Sequence, residues 1–152
     1  MNSTPLNRIE WLSDLVRLEI RLWERVDARL RAEHGLPLAH FWPLYVVGHA
    51  PAESLRVGEL AAALGLTVGG TSKVVDRIVA AGYLRREPDP TDRRASRLVL
   101  THAGRSCLGA AGATCEAELA AALDAALGPD EQRGMHRLVR RLLGVTGGDA
   151  PA

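Results

Sequence analysis

Residues 57–100 leave few choices of fold. Val57, Leu60, Ala61 and Leu64 recur at the three- and four-residue spacing of one helix face, and Gly65 ends that short helix. Thr67 is a natural N-cap for a second helix, with Val74, Val75, Ile78 and Val79 turned inward. Two short helices can cross closely near a right angle if a small residue sits in the first and a glycine in the turn. Ala61 and Gly65 meet that need, and the spacing predicts a helix-turn-helix. An ordinary helical hairpin in a bundle is the alternative from these residues alone.

The next segment changes period. Gly82 closes the second helix, and Tyr83-Leu84-Arg85-Arg86-Glu87 reads as a strand. Pro88-Asp89-Pro90-Thr91-Asp92 is turn chemistry, and Arg97-Leu98-Val99-Leu100 alternates into a second strand. A β-hairpin directly after a helix-turn-helix is a wing.

The flanking segments are helical. Leu12, Leu15, Leu22, Val26 and Leu30 make one stripe through residues 6–34, and Trp11, Leu18 and Trp23 widen it beyond a single face. Such a helix needs cover on two sides. Gly35 and Pro37 stop it. Residues 38–47 form the next helix, with Pro43 tolerable only if the helix begins a few residues earlier or at Pro43 itself. Residues 49–54 read as a loop. From the Thr101 cap an Ala- and Leu-rich helix runs to about Leu127. Gly128-Pro129-Asp130 breaks it, a last helix spans about Asp130–Leu143, and 147–152 reads as a loose tail.

Charge is uneven along the chain. The net charge of +1 does not suggest a partner. Residues 67–100, however, hold seven bases (Lys73, Arg77, Arg85, Arg86, Arg93, Arg94, Arg97) against four acids (Asp76, Glu87, Asp89, Asp92). The other segments are neutral or slightly acidic, so the positive excess falls on the helix-turn-helix and hairpin. A solvated surface with chance clustering is the bland alternative.

Two stretches carry a family resemblance. One runs from Val57-Gly58-Glu59-Leu60-Ala61 through Val75-Asp76-Arg77-Ile78 to Ala81-Gly82-Tyr83-Leu84-Arg85-Arg86. The other is Asp92-Arg93-Arg94-Ala95-Ser96-Arg97-Leu98-Val99-Leu100-Thr101, followed by Ala103-Gly104. The second fits D-x-R-x-x-x-L-x-L-T at every fixed position, directly after a helix-turn-helix. Over about residues 6–145 the chain resembles the MarR family of bacterial regulators. The resemblance implies a mainly α fold with a small β-hairpin: a winged helix-turn-helix plus a helical dimerisation layer. The dimerisation region is then 1–36 and 101–146, and the DNA-binding domain 37–100. A partner subunit would supply the second cover that the first helix needs, and two-fold symmetry implies a pseudo-palindromic DNA site.

The expected function is that of a sequence-specific, DNA-binding transcriptional regulator, a repressor, acting as a homodimer on double-stranded DNA. The start of the second helix should enter the major groove with Thr67, Val68, Gly69, Gly70, Thr71, Ser72 and Lys73. Gly69-Gly70 either lets the backbone approach DNA closely or lies in the turn before a helix that begins at Gly70 or Thr71. Arg77 either binds phosphate or pairs with a wing acid such as Asp92. The wing tip, Asp92-Arg93-Arg94, should lie over the minor groove, where arginine suits a narrow negative channel. By resemblance, Asp92 orients a wing arginine and one arginine inserts.

A small aromatic or anionic effector is also expected by resemblance, bound between the dimer layer and the winged domain. Trp11, Arg17, His40, Trp42 and Tyr45, with His34 and His49, are its candidate residues; a core role for Trp11 and Trp42 is the alternative. Pro43 follows Trp42 where the urate-responsive branch of the family has an acidic residue, so urate is not carried over. The peroxide-sensing branch has a reactive cysteine in the first helix, which is absent here. Cys107 and Cys115 are eight apart on one helix, roughly 12 Å, too far for an internal disulfide. The remaining alternatives are a winged-helix dimer acting as a protein-interaction module and a cysteine-based redox sensor. The five histidines lack metal-ligand spacing such as H-E-x-x-H, and no phosphate loop or nucleophile signature occurs. Neither metal, cofactor nor enzyme activity is expected. No segment has the roughly 18 apolar residues of a membrane span or the pattern of a signal peptide, so a cytoplasmic location is expected.

Overall fold

The computed structural model describes residues 7–146, with side chains to residue 144. The helices are α1 (Arg8–His34), α2 (Leu38–Gly48), α3 (Val57–Leu64), α4 (Val68–Ala80), α5 (His102–Asp124) and α6 (Pro129–Thr146). The strands are β1 (Ser54–Arg56), β2 (Leu84–Pro88) and β3 (Ser96–Leu100). The expected tail at 147–152 lies outside the described residues.

Caps set the helix ends. Asn7 Oδ1 accepts from the Ile9 and Glu10 amides at the start of α1. Thr67 Oγ1 accepts from the Gly70 amide at the start of α4, and Thr101 Oγ1 from the Gly104 amide at the start of α5. Gly65 ends α3 with φ of 65°, a left-handed conformation that costs a glycine little and allows the tight turn into α4. Pro43 lies well inside α2, so the helix does begin a few residues earlier, at Leu38. Its ring is buried, and it cannot donate to the Ala39 carbonyl four residues back.

The segment expected to be a loop at 49–54 is more ordered than that reading. A 3-10 turn at Pro51–Glu53 leads into β1, with Ala52 and Glu53 both at positive φ. The hairpin is therefore part of a three-stranded antiparallel sheet in the order β1-β3-β2. Ser54 faces Val99 and Arg56 faces Arg97 across one ladder; Leu84 faces Leu100 and Pro88 faces Ser96 across the other. Three residues are too few to show a strand period, which is why β1 escaped the sequence.

Burial falls into two clusters. One joins Leu44, Val47, Leu60, Val75, Ile78, Leu84, Leu98 and Leu100, beneath the helix-turn-helix and sheet. The other joins Val26, Leu30, Leu36, Leu38, Phe41, Ala111 and Cys115, among α1, α2 and α5. Helix α2 contributes to both, so the winged unit and the long helices are packed through it. Gly104 permits a second close approach: a Cβ there would stand 2.0 Å from the Tyr83 carbonyl oxygen. The Thr101 hydroxyl reinforces this junction by donating to the Gly82 carbonyl at 2.6 Å.

Candidate nucleic-acid interface

The turn between α3 and α4 presents the start of α4 to solvent. Thr67, Val68, Gly69, Gly70 and Lys73 are exposed and Ser72 is half-buried. Both glycines lie in the first turn of the helix, because it begins at Val68; the reading that places them before a helix starting at Gly70 or Thr71 is corrected. A Cβ on Gly69 would meet open space, whereas one on Gly70 would come within 3.1 Å of Thr67 Oγ1.

Thr71 is a second correction. It is 1% exposed, and its hydroxyl donates to the Thr67 carbonyl at 2.9 Å. It therefore faces the core and offers nothing to a groove. One helical turn separates it from Val75, also buried, so the inward face of α4 begins earlier than the apolar residues at 74–79 indicate.

Three of the seven bases are already engaged. Arg86 donates to Asp76 at 2.8 Å, tying β2 to α4, and Arg85 pairs with Glu87 on its own strand. Arg97 Nε donates to Ser54 Oγ at 2.5 Å and its Nη2 to the Ser54 carbonyl at 2.9 Å, which clips β1 to β3. Among the described residues, Lys73, Arg77, Arg93 and Arg94 make no ion pair and are exposed. Arg77 is not paired with Asp92.

The wing is organised by a residue that the sequence reading passed over. Asp89 has a fully buried side chain and is the single buried charged residue among those described. Arg56 Nε donates to one carboxylate oxygen at 2.8 Å, and Arg97 approaches the same oxygen at 3.4 Å. The other oxygen accepts from the Thr91 hydroxyl and amide at 2.7 and 2.8 Å and from the Asp92 amide at 3.1 Å. The Arg56 hydrogen bond, then those from Thr91, hold this carboxyl well below the usual carboxylate range, outweighing burial. Asp92 does less. Its carboxylate accepts from the Arg94 amide at 3.0 Å and shapes the turn without gripping a wing guanidinium. Asp92 thus touches a wing arginine through the Arg94 amide. The available signal for Asp89 was its place before Pro90-Thr91, since an Asp side chain accepts readily from the amides that follow it.

Of the expected effector residues, Trp42 and Tyr45 line a cavity of about 560 Å³ between α1, α2, α5 and α6, and Trp11, Arg17 and His40 do not. Trp11 and Trp42 are 43% and 44% exposed, so neither is core within this chain. Arg17 lies near Asp14 and donates to Ser13 Oγ on its own helix. His40 is half-buried; burial, then the Arg77 and Arg31 charges, lower its pKa. His49 stacks on Tyr45, which stacks on Trp42. His34 makes a 2.8 Å hydrogen bond with Thr114 Oγ1. Burial raises the pKa of both cysteine thiols, which disfavours the reactive thiolate.

A three-stranded wing packed on an exposed second helix, set between long terminal helices, defines a winged helix-turn-helix protein. The MarR family profile matches residues 34–95. Over its full length the chain superposes on Sco3205 of Streptomyces coelicolor, a MarR family transcriptional regulator in complex with DNA. The TM-score is 0.83 and identity 25%, with 96% of that chain covered. A mutant MarR of E. coli complexed with operator DNA matches 93% of the chain and 99% of its own at TM-score 0.78 and 23% identity. CouR of Rhodococcus jostii RHA1, bound to p-coumaroyl-CoA, matches at TM-score 0.76 and 21% identity, covering 91% of this chain and 92% of its own. The HTH-type regulator YcgE of Bacillus subtilis is 46% identical over 43 residues, 28% of either chain. The profile match falls on the helix-turn-helix and the wing turn, and the likeness to MarR family structures extends over the whole chain.

Proposed function

We propose that the chain is a transcriptional repressor that binds double-stranded DNA as a homodimer. The observation that carries this reading is the exposed start of α4 together with Lys73, Arg77, Arg93 and Arg94, four cations on the helix and wing without ion-pair partners among the described residues. Val68, Gly69, Gly70, Ser72 and Lys73 face the major groove, with Thr67 capping the helix beside the backbone. Arg93 and Arg94 enter or flank the minor groove, and Asp92 keeps the tip in shape.

The dimer reading rests on uncovered apolar surface. No described side chain of α6 is buried, yet Met135, Leu138 and Val139 fall on one helix face and are exposed. Leu12, Leu15, Val16, Leu18 and Trp23 of α1 are likewise exposed. A surface this apolar calls for a partner. A second copy supplies it, with 1–36 and 101–146 forming the dimer layer and 37–100 the DNA-binding domain. Two recognition helices related by a two-fold axis then require a pseudo-palindromic operator. A small molecule held in the cavity beside Trp42 and Tyr45 would release the DNA.

The test is a gel shift on the DNA upstream of the chain's own gene, with sedimentation of the free protein. Retardation of that fragment over an unrelated one, by a species of about twice 16.3 kDa, is the expected result. A folded monomer, or a dimer that retards neither fragment, overturns the reading; a dimer that captures a protein instead favours an interaction module.

A further inference from the structure

The cavity between α1, α2, α5 and α6 carries charge of the same sign as the anionic effector expected by resemblance, and so does not suit it. Its walls are apolar and aromatic, with Trp23, Phe41, Trp42 and Tyr45 supplying ring faces. Its charged lining residues are Glu19 and Glu116, with no lysine, arginine or histidine beside them. Neither glutamate makes an ion pair or side-chain hydrogen bond among the described residues. The cations that would hold an anionic aromatic ligand, Arg17, His34, His40 and His49, all lie outside the lining.

We propose that this cavity binds a lipophilic organic cation: a bulky aromatic or quaternary ammonium or phosphonium ion. Its volume of about 560 Å³ lies within the range of small-molecule sites. An anion placed there would lose its hydration and face two carboxylates with no cation in the lining to compensate. A cation with apolar arms finds the reverse: ring faces whose negative quadrupole attracts it, two carboxylates at the lining, and apolar walls for the arms. The assignment rests on the effector-responsive reading only for its consequence, release of DNA; binding itself needs no DNA.

The full chain, at a concentration where it is dimeric, is titrated with tetraphenylphosphonium and separately with tetraphenylborate, an ion of similar shape and opposite sign. Tryptophan fluorescence reports occupancy, because Trp23 and Trp42 line the cavity. The phosphonium should quench saturably and bind at least about tenfold more tightly than the borate. Glu19→Gln with Glu116→Gln should abolish that preference while leaving the circular dichroism spectrum unchanged. Equal or tighter borate binding, or a preference that survives the double substitution, overturns the assignment. So does a dimer that binds neither ion, which would mean that the second copy fills the cavity. Gel retardation without either ion is scored separately: its failure alongside intact phosphonium binding counts against the DNA-binding reading and leaves the cavity assignment standing.

Discussion

Arg56 Nε donates to the buried carboxylate of Asp89 across 2.8 Å, joining the N-cap of α3 to the start of the wing turn. This pair links the helix-turn-helix to the wing, beside the Arg86–Asp76 pair and the backbone ladder. The arrangement couples where α3 begins to where Arg93 and Arg94 stand.

Asp89→Asn should loosen the wing. The amide keeps one acceptor oxygen, but the charge that holds Arg56, Arg97 and the Thr91 and Asp92 amides is gone. Hydrogen exchange of amides 91–95 should speed up, and DNA affinity should fall, while Asp92→Asn has the milder effect. Because the folded carboxyl lies below its ordinary value of 3.8, its stabilisation is complete above that pH and fades as pH falls further toward the folded value. The wild-type wing should therefore outlast the Asn variant on acidification from neutral pH to about pH 4. Equal exchange rates in the two proteins would count against the linkage.

Gly69→Ala should separate stability from binding. Its Cβ would meet no neighbour within 4 Å, so the helix gains about 0.5–1 kcal/mol from alanine's better propensity. If the backbone at 69 approaches DNA closely, the same methyl group weakens operator binding. Thermal melts and a binding isotherm on one preparation decide it. A variant that is stabilised and binds normally leaves the glycine with no role at the groove.

Salt should act through four cations per protomer. Lys73, Arg77, Arg93 and Arg94 lack ion-pair partners among the described residues, whereas Arg85, Arg86 and Arg97 have acids or carbonyls. A dimer that uses all eight to neutralise phosphates gives a log–log slope of about −7. Arg85→Ala should leave the slope nearly unchanged, and Lys73→Ala should reduce it by about two in the dimer. The slopes are read from fluorescence anisotropy across a salt series.

Thr71 and Ser72 should behave differently although adjacent. Thr71→Val removes a buried hydroxyl that donates to the Thr67 carbonyl and should cost about 0.5–1.5 kcal/mol of stability. Its operator preference should not change. Ser72→Ala should be nearly neutral for folding and alter discrimination at one base pair by up to about 1–3 kcal/mol. Selection from a randomised operator distinguishes them; a changed preference in the Thr71 variant would reverse the assignment.

Much of the architecture was legible because it is written in local chemistry. The period of Val57 to Val79, the Gly65 turn, the Thr67 and Thr101 caps and the Leu98-x-Leu100 alternation depend on residues a few positions apart, and each recurs in the structure. The apolar excess of α1 was equally visible, since a helix too greasy for one face announces a second cover. Those signals define helices, turn and hairpin before any long-range contact forms.

Other features depended on residues far apart in the chain. β1 exists because Ser54–Arg56 finds an edge of β3 more than forty positions away. Asp89 is buried because Arg56 reaches it from the end of β1, and Arg86 and Arg97 are engaged because an acid and a carbonyl meet them in space. Whether a threonine faces a groove or the core is set by how α4 packs on α3 and β2, in the cluster with Leu60 and Leu84. The composition of the cavity was hidden for the same reason: Glu19, Trp23, Trp42 and Glu116 come from three helices, and sequence spacing carries no information about which side chains meet across a packed interface.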